Sequence, residues 1–225
     1  MDKVVRQNAE ESELMLNLLL DDVSRKESSS LFHELRLLAW SMDRVQKSER
    51  YISRVRLVND MSVGDRKRRV AALQLWWDAL GVEETATTLR TDTSWAADLG
   101  AYETAKEAFD QLSDGEYVVF CLVRCGEIQR KRGLKWEQSQ YLKQVVEVAG
   151  RLPFEEPALK LSEEVLASLA AGGIDPDGPR PADSPTGGTS DSRGGLGLEA
   201  FAAGSEEQVF SFARASGKKG ITGVE

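Results

Sequence analysis

The chain predicts an all-α fold: a compact bundle of about six or seven helices, followed by a low-complexity C-terminal tail that is largely disordered. Three observations carry that prediction. Apolar residues recur at three- and four-residue steps along nearly all of residues 1–171, and no segment alternates convincingly with period two. That stretch holds only seven Gly and two Pro. The composition then changes: residues 172–225 hold 12 Gly and 4 Pro in 54 residues. At that level, burial of apolar surface does not offset the ordering entropy of the backbone.

The elements follow in order. Residues 3–22 carry Leu14, Met15, Leu18 and Leu19 on neighbouring turns. Ser30 fits an N-cap, and Leu31, Leu35, Leu38, Met42 and Val45 then recur at steps of 4, 3, 4 and 3. Continuing that seam lands on Glu49 before Ile52, so the stripe breaks after about two heptads and reads as a bundle helix, since a coiled coil needs ~3–4. Met61–Gly64 reads as a turn. Asp65 is the expected cap of a helix whose buried stripe is Val70, Leu73, Trp77 and Leu80, with Gly81 at its C′ position. Five Thr between residues 85 and 93 favour a connection over 82–94.

Leu99, Tyr102, Ala105, Phe109 and Leu112 space as a helix ending before Ser113-Asp114-Gly115. The next run, Tyr117–Val123, is β-like in composition. Asp114 and Glu116 before it, with Arg130, Lys131, Arg132 and Gly133 after Ile128, favour a helix over 116–132. Trp136, Tyr141, Val145 and Val148 mark another helix. Pro157 opens a last one, with Leu161, Val165, Leu166 and Leu169 inside and Gly172-Gly173 as its stop. The expected domains are a helical body over 1–171, a disordered linker over 172–196 and a tail over 197–225.

Several chemistries have no residues to carry them. The sequence has one His and two Cys, no GxxxxGK[ST], no GxGxxG in a strand–turn–helix setting, and no GxSxG. A C-x₃-C spacing with one distant His does not match structural zinc patterns. Cys121 and Cys125 stand one turn apart on the helix expected over 116–132, an awkward geometry for a disulfide, and read as reduced, buried thiols. The expectation is a protein without catalytic residues, metal or cofactor. The opening MDKVVRQNAEESE lacks the ~7–15 apolar residues of a signal peptide, and no apolar run approaches ~18–20. A soluble intracellular protein, cytoplasmic by default, follows as an expectation, with no membrane partner.

Charge is the most informative signal. The net is −8, but residues 44–69 hold nine bases against three acids, and residues 70–116 hold two bases against ten acids. Arg66, Lys67, Arg68 and Arg69, placed in the first turn of the helix over 66–80, would oppose its dipole. With Arg54 and Arg56 they form a candidate anion site for nucleic acid or an acidic protein segment, or a nuclear-localisation run. On this reading, replacing the four by Gln leaves the fold intact or slightly more stable.

Trp76 lies towards the edge of the apolar stripe and is a candidate interface anchor. In the tail, Leu198, Phe201, Val209, Phe210 and Phe212 fall in a segment, 197–215, that fits a conditional helix ordering on a surface, its own body's or a partner's. The combined reading is a non-enzymatic helical interaction protein, an adaptor or regulator, with a protein partner and room for homo-oligomerisation. Its layout is one that many regulatory and virus-encoded accessory proteins share, without any residue match. The alternative is a nucleic-acid-associated factor using the basic run.

Overall fold

The computed structural model describes Leu16, Leu19 and Leu20, residues 31–85 and residues 92–181. Every regular element among them is helical: α1 (Leu31–Gln46), α2 (Arg50–Asp60), α3 (Val63–Thr85), α4 (Asp92–Asp110), α5 (Gly115–Lys131), α6 (Lys135–Ala149) and α7 (Pro157–Ala171). The all-α bundle expected from periodicity is thus the observed fold, and the β-like run Tyr117–Val123 is helix. The described residues form two compact units that divide within α3, after Val70.

In the first unit α1 packs on α2. Leu16, Leu20, Phe32, Leu35, Ala39, Met42, Tyr51, Val55 and Val58 form one buried cluster. The predicted α1 seam is on its inner face: Leu35 and Met42 are fully buried, and Leu31, Leu38 and Val45 pack against them. The break after Val45 has a defined geometry. Lys47 turns left-handed, at φ 56°, and the Ser48 N–H reaches back to the Asp43 carbonyl at 3.0 Å. The Asp43 carboxylate then caps the next helix. It accepts from the Tyr51 N–H at 3.0 Å, the Ile52 N–H at 2.7 Å and the Ser48 hydroxyl at 2.8 Å.

In the second unit α5 is the central helix. It packs on α4 and α6, and α6 packs on α7. Residues 116–119, 121–125 and 127–129 of α5 are buried, polar ones included, so the helix is enclosed on all sides. Gly126 faces α6 with room for a methyl group: a Cβ there would make ordinary contacts with Leu142 Cδ2 at 3.6 Å and Tyr141 Cβ at 3.7 Å. The stops expected at Gly133 and at Gly172-Gly173 are present. Gly133 (φ 74°) and Gly173 (φ 84°) take the left-handed position, and the following residues, Leu134 and Ile174, donate back to Gln129 O and Leu169 O.

Several faces are rotated from the expected register. In α3 the buried positions are Arg69, Ala72, Leu73, Trp76, Ala79 and Leu80, while Val70 and Trp77 are half-buried. The helix runs through Gly81 to Thr85, so Gly81 is not its stop and the connection is shorter than 82–94. In α6 the buried residues are Gln138, Ser139, Leu142, Val145 and Ala149, with Trp136, Tyr141 and Val148 on the flanks. In α7 the buried pair is Ala158 and Ser162, and Leu161, Val165, Leu166 and Leu169 are half-buried. In each case small or polar side chains take part of the buried face, and some of the larger apolar ones are left half-buried at its edges.

The ordered chain extends past the expected boundary at 171. Residues 174–180 lie along α6, whose side chains supply the hydrogen bonds that the Gly/Pro-rich segment lacks. Trp136 Nε1 donates to Gly178 O at 3.3 Å, Gln140 Nε2 to Pro176 O at 2.9 Å, and Lys143 Nζ to Pro176 O at 3.1 Å and to Asp177 Oδ1 at 2.5 Å. Arg180 pairs with Glu137 at 2.5 Å. Pro176, Pro179 and Pro181 also lower the entropy lost on ordering. The linker reading therefore does not hold for residues 174–180. Residues 182–196, the tail 197–225 and its conditional helix 197–215 lie outside the described residues.

Candidate docking surface on the first helix

Of the six residues of the expected anion site, Arg54 and Arg69 are buried, Arg66 is half-buried, and Arg56, Lys67 and Arg68 are exposed. The N-cap of α3 is Ser62, not Asp65: the Asp65 N–H donates to Ser62 Oγ at 3.1 Å, and the Ser62 hydroxyl donates to Asp65 Oδ2 at 2.6 Å. The first turn therefore carries an acid, and the basic run begins in the second turn, where the dipole conflict has faded. The Ser62 hydroxyl, aided by the Arg68 guanidinium, holds the Asp65 carboxyl below its usual range. Arg68 pairs with Asp65 in turn.

Arg66 reaches back to the end of α2. Its Nε donates to Met61 O and its Nη2 to Asn59 O, both at 3.2 Å, and its guanidinium lies 5.0 Å from the centre of the Phe32 ring. Arg54 and Arg69 are buried, Arg54 against the Tyr51 ring at 5.8 Å. Arg56 and Lys67 are exposed. Arg66 and Arg69 are thus built into the fold, while Lys67 and Arg68 face solvent. Arg66→Gln should cost the first unit about 1–2 kcal/mol, through lost charge-assisted bonds to two carbonyls and lost contact with Phe32. Thermal unfolding with no loss of stability would contradict this role. Neutralising the whole run should carry the same Arg66 cost, against the neutral or slightly stabilising effect expected from the dipole alone.

Trp76 is not an exposed anchor. It is 3% exposed and sits among Trp77, Tyr117 and Phe120, with ring centroids at 4.8, 5.6 and 6.3 Å. The tail positions Leu198, Phe201, Val209, Phe210 and Phe212 lie outside the described residues. Cys121 and Cys125 are buried free thiols. Burial pushes both up, Cys125 to about 12, which disfavours the reactive thiolate. Tyr141 donates to Glu103 Oε1 at 2.5 Å, and burial with that bond raises the phenol. Among the described residues no group of three or more His, Cys, Asp or Glu can hold a metal ion, and no helix is long and apolar enough to cross a membrane.

The face that stands out is one that sequence reading passed over. The outer side of α1 carries His33, Leu37, Trp40 and Arg44 at steps of 4, 3 and 4, a second seam beside the buried one. Leu37 is 44% exposed and Trp40 54%, the most exposed large apolar residue described. The Arg44 guanidinium lies 5.3 Å from the Trp40 ring centre. Arg36 and Lys47 are exposed at its edges. The result is an apolar strip framed by cations, with Glu34 as the acid on its flank. The spacing of Leu37 and Trp40 was the available signal. The stronger seam through Leu35 and Met42 hid it, because a single helix was assigned a single face.

Comparison with protein families, with characterised proteins and with solved structures finds no match to this chain.

Proposed function

We propose that this chain is a non-enzymatic helical interaction module, an adaptor or regulator, whose docking surface is the outer face of α1 and whose partner presents an acid-rich amphipathic helix. The exposed Leu37–Trp40 strip between Arg36, Arg44 and Lys47 carries the reading. Exposed Trp is costly to leave in water and is enriched at the centres of interfaces. The seam spacing suits a helix laid along α1, meeting it through i, i+3, i+4 and i+7 anchors. The cations select acidic flanks, and they disfavour a second copy of α1, which would bring like charges together. Little supports the nucleic-acid alternative, since Arg54, Arg66 and Arg69 are engaged within the fold.

The test is a binding titration. The probe is a labelled synthetic amphipathic helix with Leu at those four spacings and Glu on its flanks. The assay uses the full chain. Trp40→Ala should weaken the probe at least ~30-fold, the ~2 kcal/mol of a central Trp anchor. Melting should change little, because exposed positions contribute within about 0.5 kcal/mol. Equal affinity with and without Trp40, or preference for a single-stranded RNA oligonucleotide in a Trp40-dependent manner, would overturn the reading.

A further inference from the structure

We infer that the α6 face formed by Trp136, Gln140 and Lys143 is a recognition site for an acidic Asp-Pro β-turn. Residues 175–180 are its resident ligand, and an outside protein segment with the same turn behind an apolar residue takes their place. The site lies wholly within the second unit and does not depend on the α1 face. The resident turn is pre-organised by its own bonds. The Gly178 N–H donates to Asp175 O at 3.2 Å, and the Asp177 N–H donates to Asp175 Oδ1 at 2.9 Å. Asp first, Pro second and Gly fourth are residues that a type I turn favours. Gly178 sits tight against Asp175, where a Cβ would lie 2.8 Å from Asp175 Oδ2. The turn bond does not use the Pro176 and Gly178 carbonyls, and these are what α6 reads. Gln140 and Lys143 donate to the first and Trp136 to the second. The three donors stand at steps of 4 and 3 on one side of the helix. Ion pairs of opposite polarity, Lys143 with Asp177 and Glu137 with Arg180, fix the direction in which the segment lies.

Two observations make the resident replaceable. None of residues 174–181 is buried, and the side chains of Asp177 and Arg180 are 82% and 53% exposed within their ion pairs. Such exposed pairs add little stability, so the turn is held as a ligand is, by polar contacts on a surface. The site is also larger than its resident. A cavity of about 400 Å³, lined by Gln140, Lys143, Gln144, Val146, Glu147 and Leu166, begins at the two residues that hold Pro176. The segment runs from Gln140 and Lys143 towards Trp136 and Glu137. The cavity therefore lies ahead of the turn, on the side from which its chain arrives. In this chain that side supplies Gly172 and Gly173, which have no side chain, and Ile174, whose N–H is tied to Leu169 O. None of them lines the cavity. An outside segment with Leu ahead of the turn fills it against Val146 and Leu166.

The test uses the full chain and a fluorescein-labelled peptide, Leu-Ile-Asp-Pro-Asp-Gly-Pro-Arg-Pro. In a released chain, Asp175→Ser, Pro176→Gly, Asp177→Ser and Arg180→Ser remove the turn, its rigidity and both ion pairs, and leave α6 untouched. By fluorescence anisotropy the released chain should bind the peptide at least ~10-fold more tightly than the unaltered chain. The reason is that a resident joined to α7 through Gly172–Ile174 competes at an effective concentration on the order of millimolar. Adding Trp136→Phe and Lys143→Met to the released chain should abolish binding. Replacing the leading Leu of the peptide by Ser should weaken it about tenfold, the loss of one buried apolar side chain. Four results would overturn the inference: no binding to the released chain at millimolar peptide, equal affinity for the released and unaltered chains, binding that persists without Trp136 and Lys143, or indifference to the Leu. An unaltered chain that sediments as a dimer, with a monomeric released chain, would assign the turn to a second copy and overturn it too.

Discussion

Phe109→Ala should lower the unfolding free energy of the second unit by about 3–5 kcal/mol, the cost of removing a fully buried aromatic side chain from a rigid site. Phe109 is 0% exposed. Its ring stacks on Tyr117 at 4.7 Å with 23° between planes. Tyr117 meets Phe120 edge-on at 5.5 Å and Trp76 at 5.6 Å, so the cavity would open inside an aromatic cluster fed by α3, α4 and α5. The turn after α4 limits collapse into it. The Asp114 N–H donates to Phe109 O at 3.0 Å across a left-handed Ser113, which ties the Phe109 backbone to the start of α5. Phe109→Leu keeps most of the volume and should cost about 1–1.5 kcal/mol. Urea unfolding followed by Trp fluorescence reads both. A loss below about 1.5 kcal/mol for the Ala variant would mean that the cluster repacks and is not the centre of the unit.

Much of this architecture was legible because apolar spacing dominates it. The inner seam of α1, the helical state of 115–131 and the Gly stops at 133 and 173 all follow from local chemistry that the tertiary structure does not override. The misreadings have a common cause. Each rotated face has a polar or small residue where sequence logic wants a large apolar one. Arg69 is 2% exposed, and Ala72 and Ala79 are buried beside it. Reading Arg69 as solvent moved the α3 stripe to Val70 and Trp77, and exposed Trp76 on paper. Gln138, Ser139 and Ser162 did the same in α6 and α7. Buried polar positions depend on partners distant in sequence, and those are visible only once the helices are assembled.

The docking face was obscured in a different way. Four consecutive basic residues draw attention, yet charge in a run says nothing about where each guanidinium goes. Arg66 closes the end of α2 and Arg68 closes the start of α3. The cations that frame an exposed apolar strip, Arg36, Arg44 and Lys47, are spread over twelve residues, each of them unremarkable in the sequence. What distinguishes them is the Leu37–Trp40 strip between them, and an apolar pair in an amphipathic helix is assigned to the core unless a better core face is recognised first.

Asp43→Ala should destabilise the first unit by about 2–4 kcal/mol, although Asp43 lies in α1 and the helix it stabilises is α2. Asp43 is 5% exposed. Glu49, the residue at the N-cap position of α2, makes no side-chain capping bond. The first turn of α2 is satisfied from upstream, by Asp43 Oδ1 on the Tyr51 N–H and Oδ2 on the Ile52 N–H. Removing the carboxylate takes away a cap of about 1–2 kcal/mol, and it leaves two amides at a largely buried corner without acceptors, at about 1–2 kcal/mol more. The negative charge at the positive end of the α2 dipole is lost as well. Asp43→Asn keeps one oxygen acceptor and should recover about half of the loss. Hydrogen exchange gives the decisive readout, because protection at Tyr51 and Ile52 tracks the opening of this corner. Both amides should exchange about 30- to 1,000-fold faster in the Ala variant, the rate equivalent of that free energy. If their exchange rises by less than about fivefold, the α1–α2 corner is held by its apolar contacts, and the carboxylate is incidental to it.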